Sequence, residues 1–185
     1  WVGCAGAFDD RYKKVIRAFA TILDHLKTDY AVLGREETCT GDPARRAGNE
    51  MLYQMQALQL IEVFKNYDVK KIITTCPHCF NILKNEYPDL GGNYEVINYL
   101  QFINEQLDKG NLTPDAGSVK SKVITYHDPC YLGRANDIYS QPRNVLKHLA
   151  VNVAEMERNR SFALCCGAGG AQMFKEAEKG SKEIF

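Results

Sequence analysis

The sequence predicts an α/β fold in which short parallel strands alternate with amphipathic helices. Apolar, β-branched runs of strand length recur along the chain, and segments with helical periodicity separate them. The order of elements in the first part of the chain also returns in the second. With 185 residues, of which 45% are hydrophobic, the chain can bury a substantial core in one domain or in two small ones.

The first helix is predicted over residues 12–26, where apolar residues recur every three or four positions and Asp9 or Asp10 can cap the start. Residues 30–33 form a short apolar run that ends at Gly34, so we expect a buried strand there. A second helix is expected to begin at Pro43. The spacing of its apolar residues predicts an inner face made of Ala47, Met51, Met55, Leu58 and Ile61.

The next strand is predicted over residues 71–75, directly before a C-x-x-C motif. A short helix should end before Pro88, a strand should follow around residues 94–97, and a helix over residues 98–107. Gly110, Gly117 and Pro114 then mark a linker. We therefore expect a first repeat over residues 1–112, a linker over 113–120 and a second repeat over 121–185.

The second repeat is predicted as a strand (residues 123–126), a helix (136–149), a strand (151–156) and a helix (171–185). Cysteines equivalent to the C-x-x-C motif would fall at positions 202 and 205, so this repeat is expected to be incomplete at its C-terminus. The start at Trp1, together with an end inside an amphipathic pattern, predicts that the chain is part of a longer polypeptide.

Charge excludes some classes of partner. The 23 basic and 23 acidic residues balance and are spread along the chain, so we expect neither nucleic acid binding nor direct membrane insertion. No signal peptide is recognisable, which predicts a cytoplasmic protein with reduced thiols. Seven cysteines in that setting favour metal binding or catalysis over structural disulfides.

The cysteines are duplicated along the chain. Cys4 and Cys39 have 34 residues between them, and so do Cys130 and Cys165. Cys39 lies in a Cys-Thr-Gly sequence and Cys165 in a Cys-Cys-Gly sequence with Cys166, which indicates a repeated thiolate site. Because ligands collect at the carboxyl ends of parallel strands, these distant cysteines are expected to converge there.

Four cysteines of the first site, namely Cys4, Cys39, Cys76 and Cys79, suit either one tetrahedral zinc ion or one corner each of a four-iron cluster. The number of thiolates does not distinguish these two. The pattern also differs from zinc fingers, which pair two short C-x-x-C units, and from ferredoxins, which place their ligands in one run.

The whole pattern resembles the cysteine-rich CCG domain of the heterodisulfide reductases, a family that includes iron–sulfur subunits of glycolate oxidase and of lactate utilisation systems. The resemblance spans nearly the whole chain. It rests on Cys4, Cys39, Cys76-Pro77-His78-Cys79, His127-Asp128-Pro129-Cys130-Tyr131-Leu132-Gly133-Arg134 and Cys165-Cys166-Gly167-Ala168-Gly169-Gly170.

The resemblance implies two cluster sites, one in each repeat, and in the heterodisulfide reductase protein of this type each site holds a non-cubane four-iron cluster bound by five cysteines. Cys165 and Cys166 retain the adjacent pair, whereas Thr40 replaces its second member in the first site. The first site is therefore expected to hold a cubane 4Fe-4S cluster or zinc through its four cysteines. The second is expected to bind an iron–sulfur cluster through Cys130, Cys165 and Cys166 together with ligands beyond residue 185.

This family implies an electron-transfer subunit of an oxidoreductase complex, with flavoprotein or ferredoxin-like partner subunits. Two other functions remain open at this point. A zinc-stabilised docking subunit would need only the first site, and a thiol-disulfide oxidoreductase would use Cys76-Pro77-His78-Cys79 at a helix start. We expect His78 and His127 to hydrogen-bond to backbone or water rather than to act in chemistry.

Overall fold

The computed structural model describes residues 1–115, 117–119 and 122–172. Four helices precede the first strand, and from that strand onward the strands and helices of these residues alternate. Single turns of 3₁₀ helix lie at Gly34–Glu36, Tyr87–Leu90, Gly117–Val119 and Arg160–Phe162. The predicted helix over residues 171–185 lies almost entirely outside the described part. In chain order the elements are α1 (Gly3–Phe8), α2 (Asp10–His25), α3 (Asp42–Arg46), α4 (Glu50–Asn66), β1 (Lys71–Thr74), α5 (Pro77–Asn85), β2 (Glu95–Asn98), α6 (Tyr99–Asp108), β3 (Val123–Ile124), α7 (Ser140–His148) and β4 (Asn152–Val153).

The α/β class is confirmed by two small parallel sheets. Strand β1 pairs with β2, with Ile72 opposite Val96, and β3 pairs with β4, with Val123 opposite Asn152. Parallel neighbours need a crossover connection, which α5 supplies in the first sheet and α7 in the second. The repeated strand–helix–strand unit fits two repeats, while the exact boundaries at residues 112 and 121 stay a prediction.

Helix α2 forms where the sequence predicts it. The Asp9 carboxylate accepts hydrogen bonds from the backbone N–H groups of Arg11 and Tyr12, both at 2.9 Å, and so satisfies two donors that an uncapped helix start leaves unpaired. On the inner face, Phe19 is buried edge-to-face against Phe102 of α6, with ring centres 6.0 Å apart. This contact places α2 beside the β1–β2 sheet.

Helix α5 lies at the centre of the main core. Phe80, Ile82 and Leu83 are fully buried in it, although these positions point to different sides of the helix. A helix this short that is covered on several sides must be enclosed by other elements. The buried residues of the rest of this core include Tyr53, Ala57, Leu60, Phe64, Ile72, Tyr87, Val96, Leu132 and Ile138.

The predicted helix from Pro43 is two helices, α3 and α4, rather than one. Gly48 has φ +83° and Asn49 begins α4, where its side chain accepts a hydrogen bond from Leu52 N at 3.1 Å. A left-handed residue cannot continue an α-helix, and an Asn cap starts a new one. The break rotates α4 relative to α3, so a single helical register does not extend across Gly48.

The predicted inner face of this helix was wrong at four of its five positions, and the fifth, Ile61, packs against the core as predicted. Met51, Met55 and Leu58 are 74%, 62% and 49% exposed, and Ala47 lies at the surface at the end of α3. The buried face is Tyr53, Ala57, Leu60 and Phe64, which has an equally good helical spacing. Because α4 is apolar on two sides, periodicity alone could not select the face that meets the core.

The predicted strand over residues 30–33 is also wrong. No strand forms there, and Tyr30 and Val32 are 41% and 60% exposed. Strand β1 pairs with β2 on one edge only, and no backbone hydrogen bond of the described residues joins β1 to residues 30–33. An apolar run becomes a strand only when a neighbouring strand pairs with it, and no strand within the described part of the chain pairs with this one.

The observed burial of α4 predicts that truncating two of its leucines lowers the stability by very different amounts. Leu60→Ala should lower the free energy of unfolding by about 2–5 kcal/mol, because it leaves a cavity in the core. Leu58→Ala should lower it by less than about 1 kcal/mol, because Leu58 is half exposed. Urea unfolding followed by circular dichroism measures both, and an equal loss in the two variants would contradict the assignment.

A second pair of variants tests how the core holds the loop that carries Thr40. Tyr87 is fully buried, and its hydroxyl donates to Thr40 O at 3.0 Å. Tyr87→Phe should cost about 1–3 kcal/mol, because Thr40 O loses its partner inside the core. Tyr67→Phe is the control, since the exposed Tyr67 hydroxyl bonds to the exposed Glu36 and should change stability by less than about 0.5 kcal/mol.

Candidate metal centre

Cys76 and Cys79 are positioned by the junction of β1 and α5. Cys76 is the residue that precedes α5, and its N–H donates to Thr74 Oγ1 at 3.2 Å. Pro77 follows at the first helical position, where its missing N–H costs nothing. Cys79 lies in the first turn and is buried. The two thiols therefore lie at the carboxyl end of β1 and at the start of a rigid helix.

Hydrogen bonds from the backbone hold the segment that contains Cys4 near the end of β1. The α-amino group of Trp1 donates to Ile73 O at 2.9 Å, and the N–H groups of Val2 and Gly3 donate to the carboxylate of Glu37. A Cβ placed on Gly3 would lie 3.7 Å from Cys79 Sγ. The start of α1, which carries Cys4, thus lies beside the C-x-x-C motif.

Cys39 approaches from a third segment. The Oγ1 atom of Thr40 lies 4.0 Å from Cys79 Sγ, and the N–H of Gly41 donates to Cys39 Sγ at 3.4 Å. Gly41 has φ +86°, and a Cβ there would meet the Tyr53 ring at 2.8 Å, so glycine is required. Segments that are distant in sequence thus lie near one another, while the joint binding of a metal by their four cysteines stays a prediction.

The thiols of this neighbourhood act on one another. Burial raises the pKa of Cys39, and the hydrogen bond from the Gly41 N–H lowers it again in part. The negative charges of Cys4, Asp42 and Cys76 raise the pKa of Cys39 further. The Cys79 thiol donates a hydrogen bond to Cys76, and this bond lowers the pKa of Cys76 to about 6 although burial raises it. A hydrogen bond from the Cys79 backbone N–H lowers the pKa of Cys76 as well. The thiol–thiol hydrogen bond and burial raise the pKa of Cys79 well above its usual range. The hydrogen bond between the two thiols thus lowers the pKa of one and raises the pKa of the other.

Thr40 occupies the position where the family pattern has a second cysteine. It is 2% exposed, and its hydroxyl faces the Cys79 sulfur. A hydroxyl is a poor ligand for the soft metals that thiolates bind. The first set of residues therefore offers four sulfur donors and one hydroxyl beside them.

The second set of cysteines repeats the local geometry of the first. The N–H of Gly167 donates to Cys165 Sγ at 3.4 Å and Gly167 has φ +74°, which matches Gly41 and Cys39. His127 Nε2 lies 2.8 Å from Leu164 O and Arg134 donates to Ala163 O, so the Cys130 turn contacts the segment that leads to Cys165. The expectation that His127 bonds to backbone is thus met.

Electrostatics also link the second set. Burial raises the pKa of Cys130, and the thiols of Cys165 and Cys166 raise it further against the opposing charge of Arg134. Cys165 and Cys166 are both exposed. Among the described residues, no three Cys, His, Asp or Glu side chains are arranged to hold a metal ion together. The role of the seven cysteines as ligands therefore stays a prediction, although their donor chemistry fits an iron–sulfur cluster.

Between the two sets lies a polar contact that sequence reasoning missed. His78 Nδ1 is 2.8 Å from Oδ2 of the buried Asp42, and the His78 ring packs edge-to-face on Tyr131 at 4.6 Å. Burial alone would lower the pKa of His78, but the hydrogen bond and charge of Asp42 outweigh it and raise the pKa. A Cβ on Gly169 would lie 2.6 Å from His78 Cε1. The prediction that His78 bonds only to backbone or water was wrong.

Asp128 of the second set holds its turn together. It is 2% exposed and accepts two hydrogen bonds from the Arg143 guanidinium, at 2.8 and 2.9 Å, and one from Arg160 N at 2.6 Å. Burial alone would raise the pKa of Asp128, but these donors lower it. Cys130 follows two residues later in the chain, so these contacts hold the Cys130 turn against α7 and the segment at Arg160.

The sequence model of the cysteine-rich domain family (CCG) matches residues 1–84 and 124–184. The chain is 50% identical over 179 residues to an EtfAB:quinone oxidoreductase of Syntrophomonas wolfei, covering 96% of this chain and 25% of that protein. It is 44% identical over 183 residues to the probable iron-sulfur-binding oxidoreductase FadF of Bacillus subtilis, covering 98% of this chain and 26% of FadF.

A third relative is a component of the dihydromethanophenazine:CoB–CoM heterodisulfide reductase of Methanosarcina barkeri, which is 34% identical over 179 residues, covering 92% of this chain and 42% of that protein. The chain thus spans about a quarter of the first two relatives and less than half of the third. No solved structure matches it significantly. None of the helices described has the length and apolar character needed to cross a bilayer.

The Asp128 contacts predict a large cost for neutralising this carboxylate. Asp128→Asn should lower the free energy of unfolding by about 1–3 kcal/mol, because the half-buried Arg143 guanidinium loses its buried carboxylate partner and keeps only Glu155. Glu155→Gln removes the other, more exposed partner of Arg143 and should cost less than about 1 kcal/mol. Chemical denaturation measures both, and similar losses in the two variants would show that Asp128 does not organise this turn.

Proposed function

The chain belongs to the cysteine-rich CCG domain family, and on that premise we propose that it is an iron–sulfur-binding, electron-transfer part of an oxidoreductase. What supports the proposal is that the segments that carry Cys4, Cys39 and the Cys76–Cys79 pair lie near one another at the carboxyl end of β1. Relatives described as iron-sulfur-binding and as oxidoreductases support the same function.

The first site would hold a cubane 4Fe-4S cluster through these four thiolates. Each iron of such a cluster takes one protein sulfur, so four donors are sufficient and the Thr40 hydroxyl is not needed. A cluster here would supply one-electron chemistry. Cys79 must release its proton before it can bind, whereas Cys76, with a pKa of about 6, is already a thiolate at neutral pH.

The second site would use Cys130, Cys165 and Cys166, with further ligands from the positions at which the repeat places the next C-x-x-C. The adjacent Cys165 and Cys166 are the feature that the family pairs with a non-cubane cluster. Because only three thiols are available within residues 1–185, we propose that this chain alone assembles the first cluster and not the second.

Protein groups around the first site would tune a bound cluster. The N–H of Gly41 points at the Cys39 sulfur, and hydrogen bonds to cluster sulfurs stabilise the reduced, more negative state. The unequal donor sets favour relay of single electrons over the paired reaction that two equivalent sites would carry out on a disulfide. Flavoprotein or ferredoxin-like subunits in the cytoplasm are the proposed donors and acceptors.

One observation favours a second function. Cys76 is an acidic thiol at the start of α5, which is the arrangement of a thiol-disulfide oxidoreductase. In that case the metal-free protein would catalyse reduction of insulin by dithiothreitol, and Cys76→Ser would abolish this activity while Cys39→Ser would retain it. Equal loss in both variants, or no activity, would exclude this function.

Iron content tests the main proposal. After anaerobic reconstitution the chain should bind about four irons and show broad visible absorption. Cys39→Ser should lose most of the iron, whereas Thr40→Ser, a neighbouring change that removes no sulfur, should keep it. Cys166→Ser should also keep it, because the second site lacks ligands in this chain.

Elemental analysis and electron paramagnetic resonance of the dithionite-reduced protein provide the measurements. A colourless protein with one zinc per chain would instead indicate a zinc-stabilised docking role for the first site. About eight irons per chain would contradict the assignment of an incomplete second site. Loss of iron in Cys166→Ser to the same extent as in Cys39→Ser would contradict the assignment of the four first-site ligands.

A further inference from the structure

A buried hydrogen-bond donor beside the first set of cysteines has no partner. The indole Nε1 atom of Trp1 is buried, and among the described residues no group accepts its N–H in hydrogen-bond geometry. Buried donors in folded proteins are nearly always paired with protein groups or with ordered water. An indole N–H can only donate, so the acceptor that suits this site carries a lone pair or a negative charge.

Glycine at position 3 leaves this N–H open toward a ligand sulfur. A Cβ placed on Gly3 would lie 3.8 Å from Trp1 Nε1 and 3.7 Å from Cys79 Sγ, so both atoms border the same small space. Gly3 has φ +75°, a conformation that residues with a side chain rarely adopt. No side chain of residue 3 therefore separates the indole from the sulfur.

Two contacts fix the position of the Trp1 side chain. Its ring packs edge-to-face on Phe64, with ring centres 5.7 Å apart and an angle of 80° between the planes. The backbone nitrogen of Trp1 donates to Ile73 O at 2.9 Å. Phe64 belongs to α4 and Ile73 to β1, so the indole is held against two elements of the core. A donor that is already oriented needs no rearrangement when negative charge appears beside it.

Thr40 provides the same sulfur with a second neutral donor. Its hydroxyl lies 4.0 Å from Cys79 Sγ, and the residue is 2% exposed. The hydrogen bond with Cys76 and burial raise the pKa of Cys79, whereas the Trp1 side chain and the Thr40 hydroxyl oppose the rise, as donors close to a sulfur do. The Trp1 contact nevertheless falls short of full hydrogen-bond geometry. Two donors from different segments thus approach one sulfur.

We propose that the Trp1 indole N–H and the Thr40 hydroxyl form a donor pair that sets the reduction potential of the first site through the Cys79 sulfur. The inference rests on the proposed function, because it concerns a cluster that Cys79 helps to bind. Reduction adds negative charge to a cluster, so donors beside a ligand sulfur stabilise the reduced state and raise the potential. Thr40 replaces a cysteine of the family pattern, and a potential ligand is thereby exchanged for a hydrogen-bond donor.

Redox titration of the anaerobically reconstituted chain, followed by electron paramagnetic resonance, tests the pair. Trp1→Phe removes the N–H and keeps a ring for Phe64, and Thr40→Val removes the hydroxyl at nearly unchanged volume. Each variant should keep about four irons. At the wild-type midpoint potential, the ratio of reduced to oxidised cluster should fall by about threefold or more in each variant.

Two matched variants serve as controls. Thr40→Ser keeps the hydroxyl, and Tyr94→Phe removes a hydroxyl from the other aromatic ring that packs edge-to-face on Phe64. Both should keep the wild-type midpoint, since neither removes a donor from the Cys79 sulfur. A fall in Thr40→Ser equal to that in Thr40→Val would overturn the role of the hydroxyl.

The indole also gives a direct readout that needs no iron. Trp1 is the one tryptophan of the sequence, so ¹⁵N labelling gives a single indole N–H signal. Zinc is taken as the probe, because it binds four thiolates without redox chemistry. Zinc titration should move the indole proton downfield and slow its exchange with solvent by about tenfold, as the N–H gains a thiolate acceptor.

The outcomes separate this inference from the proposed function. About four irons per chain together with an unchanged midpoint in Trp1→Phe, or an indole signal that zinc leaves unchanged, would overturn the donor pair while the proposed function stands. A wild-type chain that binds no iron after reconstitution would overturn the proposed function and this inference with it.

Discussion

The architecture of the first site depends on the burial of α5 directly after β1. A nine-residue helix whose side chains are enclosed on several sides has one possible position in the core, so the residues at its start are fixed as well. Cys76 and Cys79 are two of those residues. A thiolate pair on this junction is held more rigidly than a pair on a surface loop, which suits a centre whose electron-transfer properties depend on fixed surroundings.

Each other segment of the site is attached to this junction by a contact made in the core or in the sheet. The Tyr87 hydroxyl holds the carbonyl of Thr40, and the Trp1 amino group holds the start of α1 to Ile73. Because the donors come from distant parts of the sequence, ordering the site requires the whole repeat to fold. Binding of a cluster at these cysteines would therefore be coupled to folding and would stabilise the repeat as a unit.

Local signals made much of this structure predictable. The side chains of Asp9 and Asn98 cap α2 and α6 by accepting hydrogen bonds from backbone N–H groups. Strands β1 and β2 are short apolar runs between helices. The buried face of α4 was not predictable, because Met55 and Leu60 lie on two apolar faces of equal periodicity and only tertiary contacts choose between them. Likewise, the sequence marks residues 30–33 as a strand but does not show whether a partner strand is present.

In the candidate site, too, the sequence predicts some features and gives no sign of others. The repeat in cysteine spacing predicted that the two halves have a similar local geometry, and Gly41 and Gly167 do form matching N–H to sulfur contacts. The partnership of His78 with Asp42 carried no such signal, because it joins two helices through residues 36 positions apart. That pair packs against Tyr131 and Gly169 of the second repeat. The glycine permits this close approach. A change in the loop after Cys166 can therefore affect the start of α5, where Cys79 lies and which Cys76 directly precedes.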